Sequence, residues 1–519
     1  MRWAVLILVL LFASPGRAQP EPASVRGFNS ELAASVFSAA LAFTAPRTIE
    51  AVTIPQLTVW GLNGVTVADT ALTVELRDGG IALDVGGKAL FQRGAPAVPT
   101  PEAWAAAAAD VFAAAWAASP AVRQADTQGL ISAFFDEIFN HLDPYSRYVP
   151  PESANVDRAR RLGEAGAGLQ IARRGGALVV QDVNADGPAG ESGVVAGDRL
   201  VAVDGQPTRN ASLDTVMGWL DGMEGTGVSL TVRGRDGRLR TVEVERAVTP
   251  PETVFAQRAG PVLTLRITAF SADTAQRVGR ELETAFHALP VARRPRGLVL
   301  DLRGNRGGLL RPAIAAAGLL LDAGVIAVTQ GRNPVASHQW AAASGDVTEG
   351  VPVIVVVDGR SASAAEILTA ALADQGRAIV VGSSTLGKGL VQTIATLPDG
   401  GELFVTWSRV LAPWGWPIQG LGVLPQVCTS LGQDGMAQQL ASLERGTQPL
   451  QPALDRHRLA RVPLTTAAVL GLRSACPAGE GRDFDLVAAR YLLAHPLAYA
   501  AARIMPPPAG ALPAQTLAQ

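Results

Sequence analysis

Two cysteines in 519 residues, Cys428 and Cys476, leave little material for metal or redox chemistry. With no histidine near either in sequence they cannot complete a structural zinc site, which takes four ligands. Neither a metal nor a cofactor is expected. Histidine is scarce as well, and the five at positions 141, 287, 338, 457 and 495 fall in segments without a catalytic signature. Charge is sparse at 17% of residues, with 44 Lys and Arg set against 46 Asp and Glu. No long run of Lys and Arg supplies the electrostatic footprint of a nucleic-acid binder, so nucleic acid is not an expected partner.

Long apolar runs are also missing beyond the first, residues 3–13, which falls short of the ~20 residues that span a bilayer. Arg2 precedes it and the small residues Gly16 and Ala18 follow, the pattern of a secretory signal cleaved after Ala18. An uncleaved anchor is the alternative. An exported, soluble mature protein in the periplasm or another extracytoplasmic space is therefore expected. Two lone thiols in such an oxidising compartment pair, so a Cys428–Cys476 disulfide is expected too.

What the chain does have is apolar residues, 48% of the total, enough to bury substantial cores. At roughly 150 residues per unit the length suggests about three domains. Residues 28–43 read as a helix. Leu72, Val74 and Leu76 alternate before Asp78-Gly79-Gly80, and Ile81, Leu83 and Val85 after it, a hairpin signature. Stripes through Trp104, Val111, Phe112 and Trp116, and through Leu130, Phe134, Ile138 and Leu142, read as helix packing surfaces. From 155 to 247 short apolar runs are broken by glycines. The segment 192–205, SGVVAGDRLVAVDG, looks like the core of a PDZ domain, and Gly166-Ala167-Gly168-Leu169 resembles its carboxylate-binding loop. In such a loop backbone N–H groups capture a peptide's terminal carboxylate while the peptide adds as a strand. From 260 to 427 strands alternate with helices, as in an α/β layer. Residues 262–267, 297–302, 351–357 and 378–381 read as strands, and 274–289 and 364–373 as helices. The rest is helical or irregular and ends in a proline-bearing tail from 506.

Two segments carry chemistry. Asp358-Gly-Arg-Ser-Ala-Ser363-Ala-Ala-Glu366 joins a strand to a helix, a turn that can present a serine hydroxyl at the mouth of a sheet beside the helix dipole. The same Ser363-x-x-Glu366 is an ordinary capping box. In the second segment, 382–392, Lys388 lies between Gly387 and Gly389, on backbone that can approach another loop closely. A serine attacking an amide needs a base, and no histidine is placed to serve. A lysine can do so if burial holds its pKa well below the usual value near 10.4. A phosphate-loop lysine would be followed by Ser or Thr, whereas Gly389 follows here.

The order of motifs resembles the C-terminal processing peptidase family. Asp301-Leu-Arg-Gly-Asn-Arg-Gly-Gly308 is similar to its Asp-Leu-Arg-x-Asn-x-Gly-Gly loop, 361–366 to its nucleophile turn and 385–392 to its base segment. Leu142-Asp-Pro-Tyr-Ser-Arg-Tyr148 and Ile418-Gln-Gly-x-Gly-Val-x-Pro425 look like its flanking signatures. The resemblance implies a crotonase/ClpP-like α/β protease core with an inserted β-rich PDZ domain; the apolar stripes add a helical N-terminal region, whose stretch 28–100 with its hairpin departs from the short helical start of that family. The resemblance also implies Ser363 as nucleophile, Lys388 as base, Gln392 as the group orienting the lysine, and an oxyanion hole from the backbone of Gly307, Gly308 and Ala364. Arg306 stands where that family has proline, and Arg360 where it has a small residue. The expected domains are a signal at 1–18, a helical region with a β-hairpin at 28–154, PDZ at 155–247, protease at 248–427, a C-terminal helical region at 428–505 and a flexible tail at 506–519. The implied activity is cleavage of exported or envelope proteins whose C-termini the PDZ domain, through residues 166–169, recognises. A membrane-associated adaptor and a homo-oligomer stay open. The competing readings are a catalytically silent PDZ scaffold and a crotonase-like acyl-transfer enzyme.

Overall fold

The computed structural model describes residues 27–184, 187–343 and 345–504. The expected signal at 1–18 and the tail at 506–519 lie outside the described residues. Among the described residues no helix is long and apolar enough to cross a membrane. Two compact units divide the chain: the segment up to Ser38 with Thr58–Glu137, and Ala39–Leu57 with everything from Ile138 on.

The smaller unit is held by aromatic side chains. Phe37 stacks on Phe134 with ring centroids 3.9 Å apart, and Phe112 meets both rings. Helix Pro101–Ala118 supplies Phe112 and starts where the Thr100 hydroxyl accepts from Ala103 N–H at 3.3 Å, with Pro101 at its first position. The expected hairpin forms, strands Leu72–Arg77 and Gly80–Val85 pairing around Asp78-Gly79, both at positive φ as a two-residue turn of this kind requires. A third strand, Lys88–Gly94, extends it.

The larger unit contains two apolar cores with distinct architecture. In the first, strands run in the order Val254–Ala259, Val262–Ile267, Gly297–Asp301, Val353–Val357, Ala378–Gly382 and Val427–Cys428. All neighbours but the first pair are parallel. Strands Gly297–Asp301, Val353–Val357 and Ala378–Gly382 are buried along their whole length, the pattern of a parallel sheet covered on both faces. Helices Thr274–Phe286, Leu310–Gly318 and Ala364–Asp374 cover one face and Gly432–Glu444 and Asp483–Ala494 the other. A second sheet, His338–Ala342, Gly324–Gln330, Glu402–Leu411 and Leu390–Thr396, flanks this layer and accepts the short strand Arg147–Val149 on Glu402–Leu411.

The other core belongs to a six-strand antiparallel sheet ordered Leu239–Glu245, Gly227–Arg233, Arg199–Val203, Ala177–Val183, Leu169–Arg174, with the short strand Gln206–Pro207 paired to Arg199–Val203. Helix Leu213–Leu220 closes over it through Val216 and Leu220. Strand Leu169–Arg174 is its outermost member, so one row of backbone N–H and C=O groups is left for an added strand.

Candidate active site

Strand Val353–Val357 ends in a turn whose shape is dictated by Asp358. Its Oδ1 accepts from the amides of Gly304, Arg360 and Ser361, each at 3.0 Å. Buried Ser361 donates to Leu302 C=O at 2.8 Å, and Ala362 N–H to Asn305 C=O at 2.9 Å. The turn thus tied leaves Ser363, immediately before helix Ala364–Asp374, at φ 55° and ψ −116°. A non-glycine residue held there costs of order 1–3 kcal/mol, a strain found where a side chain must be presented sharply. Gly307 packs against this turn so closely that a Cβ on it would stand 2.8 Å from Ser363 Cβ.

Lys388 reaches the same cleft from a loop pressed onto residues 418–422. A Cβ on Gly389 would lie 2.2 Å from Gln419 N, and one on Gly387 2.9 Å from Gly420 C, so only glycine permits the approach on either side. Arg473 fastens this loop from a C-terminal helix, donating to Thr385 C=O at 2.8 Å and Gly420 C=O at 3.3 Å. The nucleophile turn and the base loop are joined through one side chain, Glu366. Its Oε2 accepts from Ser363 N–H and Lys388 N–H, both at 2.8 Å, and its Oε1 from Gly387 N–H at 2.6 Å and from the Thr385 hydroxyl. Glu366 has no solvent exposure. Burial pushes its carboxyl above the usual range, and the four donated hydrogen bonds oppose that rise.

Lys388 Nζ lies 4.8 Å from the centroid of the Tyr145 ring, a cation–π arrangement, and not in a hydrogen bond with Ser363. Burial holds the ammonium below its ordinary pKa, and the Arg147 guanidinium adds to that, while Asp143 and Glu366 act the other way. Gln392 lines the cleft but does not bond to the lysine: its Nε2 donates to Thr406 Oγ1 at 3.0 Å and Leu390 C=O at 3.2 Å. Thr406 in turn donates to Asp143 Oδ1 at 2.6 Å. The flanking signature 142–148 therefore enters the site through Asp143 and Tyr145. Sequence reasoning gave these two no role, although their motif was visible.

Of the three expected oxyanion donors, Gly307 is already committed, its N–H donating to Asn305 Oδ1 at 2.8 Å. Gly308 and Ala364 donate no backbone hydrogen bond among the described residues, and both line a cleft of about 730 Å³ with Ser363 and Lys388. Gly308 sits at φ 142°, where a Cβ would be 2.2 Å from Phe270 O. Two free amides beside a serine can stabilise a developing oxyanion, and the dipole of helix Ala364–Asp374 adds to them.

A segment far along the chain braces both turns. Cys476 is disulfide-bonded to Cys428. From the loop that follows, Gly479 C=O accepts from Gly359 N–H at 2.7 Å and from the Ser383 hydroxyl at 2.9 Å. Cys476 C=O accepts from the Ser384 hydroxyl at 2.6 Å, and Gly481 N–H donates to Asp358 Oδ2 at 3.2 Å.

In the antiparallel sheet, residues 166–169 lead into the edge strand. Ala167 is buried and its N–H donates to Leu220 C=O at 3.2 Å, while Gly168 turns at φ 72°. Gly166, Gly168, Leu169, Ile171, Leu213 and Met217 line a groove of about 790 Å³ between strand Leu169–Arg174 and helix Leu213–Leu220.

Residues 261–429, which include both Ser363 and Lys388, match peptidase family S41, and residues 179–234 match a PDZ domain. The chain is 33% identical over 305 residues to the carboxy-terminal-processing protease of Bartonella bacilliformis, covering 58% of this chain and 70% of that protein. It is 35% identical over 291 residues to the carboxyl-terminal-processing protease of Picosynechococcus, covering 54% and 69%. A solved structure, the photosystem II D1 C-terminal processing protease, aligns at 27% identity over 59% of this chain and 86% of that one, with a TM-score of 0.33.

Proposed function

Because this chain belongs to the carboxy-terminal-processing proteases of peptidase family S41, a serine peptidase carrying a PDZ domain, we propose that Ser363 is its nucleophile and Lys388 its general base. Neutral Lys388 Nζ takes the hydroxyl proton as Ser363 Oγ bonds to the scissile carbonyl carbon. The oxyanion is held by the amides of Gly308 and Ala364. The proton then passes to the leaving amine as the C–N bond breaks, and water, deprotonated by the same lysine, releases the acyl group and restores the serine. Lys388 and Ser363 line the same cleft, and catalytic hydrogen bonds are often long before substrate binds. Gln392, through Thr406 and Asp143, positions the floor on which the lysine swings.

The observation that carries this reading is the Glu366 clamp, which fixes the serine's turn and the lysine's loop on one buried carboxylate. Composition supports it. Only two of the 44 Lys and Arg residues are lysines, Lys88 and Lys388. In a chain that otherwise uses arginine, which does not give up its proton, a lysine in the cleft is the one cation there able to act as a base.

We assign the catalytic domain to residues 248–427, the PDZ domain to 155–247, and helical regions to 28–154 and 428–505. Protein C-termini enter the groove at Gly166–Leu169 by strand addition, and the substrates are exported or envelope proteins met outside the cytoplasm, where the Cys428–Cys476 bond persists.

The test is hydrolysis of an unfolded reporter with an apolar C-terminus, comparing the chain with Ser363→Ala, Lys388→Ala and Lys388→Arg from about pH 6 to about pH 10. All three variants should fold and be inactive. Only neutral lysine accepts a proton, so wild-type activity should rise with pH and reach half-maximum below the ordinary lysine pKa, the direction in which burial and Arg147 move it. A wild type that binds the tail but never cuts would replace this reading with a silent scaffold.

A further inference from the structure

The two arginines that depart from the family pattern have different surroundings. Arg360 pairs with Glu480, both side chains largely in solvent, and does not line the cleft. Arg306 lines the cleft directly before the glycine pair and makes no hydrogen bond or ion pair among the described residues.

Its neighbours sharpen the point. Arg147, Arg160 and Arg161 also line the cleft, and among the described residues Asp157 is the only carboxylate that does. Arg161 shares Glu402, at 2.6 Å, with Arg158 at 2.9 Å. Asp157 is shared between Arg160 at 3.7 Å and Arg147 at 4.0 Å. One carboxylate between two guanidinium groups leaves positive charge over, and Arg306 adds an uncompensated one. A concave site with low-dielectric walls concentrates such a field. A guanidinium is built to take a carboxylate in two parallel hydrogen bonds. At roughly 3.3 Å of strand per residue, an arginine beside the oxyanion glycines spans about two residues of an extended substrate.

We propose that Arg306 determines specificity: the cleft selects segments carrying Asp or Glu within about two residues of the scissile bond. This rests on the serine/lysine reading of the same cleft. An arginine merely solvated at the surface would impose no such choice.

The test uses peptides that share one apolar C-terminal tail and differ only in carrying Ala, Glu or Lys at each position flanking the cut. The readout is the ratio of kcat/KM for Glu over Ala within each enzyme. At one flanking position the wild type should favour Glu about tenfold, as expected for a charge-assisted hydrogen bond. Arg306→Ala should bring the ratio close to one, and Arg306→Glu should turn the preference toward Lys. Arg360→Ala should keep the wild-type ratio, and added salt should shrink it. The same ratio in wild type and Arg306→Ala, or no preference at any position, overturns the proposal. These failures are separable from failure of the mechanism. If the Ala peptide is cut in a Ser363-dependent way without an acidic preference, the specificity assignment alone falls. If no peptide is cut and a serine-directed phosphonate does not label Ser363, the serine/lysine reading falls with it.

Discussion

Glu366 shows how much one side chain can do for two others. Four donors converge on a carboxylate sealed from solvent, two of them the amides of the proposed nucleophile and base. Glu366→Gln keeps the shape but turns an NH2 toward N–H groups that need an acceptor, and a buried donor left unpaired costs about 1–3 kcal/mol. The expected outcome is a fall in kcat of at least tenfold with little change in KM for a tailed substrate, and a lower urea midpoint, measured by steady-state kinetics and equilibrium unfolding. At this scale the sequence was partly legible. Ser363 and Lys388 stand in motifs whose residue types follow from the chemistry. Glu366 could be seen only as a helix-capping partner, because its bonds to Thr385, Gly387 and Lys388 exist only once two loops from different strands are brought together. Tyr145 was hidden for the same reason. The lysine count was available in the sequence alone, and it leaves two candidates, Lys88 and Lys388, of which only the second stands in a base motif.

The fully buried parallel strands were easy to place, since a run such as Val-Ile-Val-Val-Val has no polar face to misassign. Strand Val262–Ile267 falls where periodicity put it, and Val353–Val357 begins two residues later than the apolar run. The second sheet was not anticipated. Strand Leu390–Thr396 is half-exposed along most of its length, so its alternation is faint, and its partner Glu402–Leu411 is buried nearly throughout. Loops rather than strands set the chemistry, and their glycines are testable. Gly308→Ala forces a Cβ to 2.2 Å from Phe270 O at φ 142° and shifts a proposed oxyanion donor. Loss of one such donor costs on the order of a hundredfold or more in kcat. Gly304→Ala, at φ 72° with open space around it, should cost far less activity. Parallel kcat and thermal-denaturation measurements on the two variants separate catalytic loss from backbone strain.

Across the molecule, the proposed function sets tail binding in the PDZ groove and chemistry in the cleft. Leu213 is 37% exposed at the rim of the groove, so Leu213→Asp should fold. A carboxylate there opposes both an apolar side chain and a terminal carboxylate. KM for a tailed reporter should rise about tenfold or more and anisotropy of a labelled tail peptide should show matching loss of affinity, while kcat holds. An unchanged affinity would remove residues 166–169 and their groove from tail recognition. The brace formed by residues 476–481 bears on time as well as space. Ribosomes make Ser363 and Lys388 well before the segment whose carbonyls and amides fasten Asp358, Gly359, Ser383 and Ser384. A growing chain, or one broken off upstream of Cys476, has the Glu366 clamp but lacks the bonds that residues 476–481 make to Asp358, Gly359, Ser383 and Ser384. The two turns are therefore fully tied only after those later residues have emerged and closed onto them.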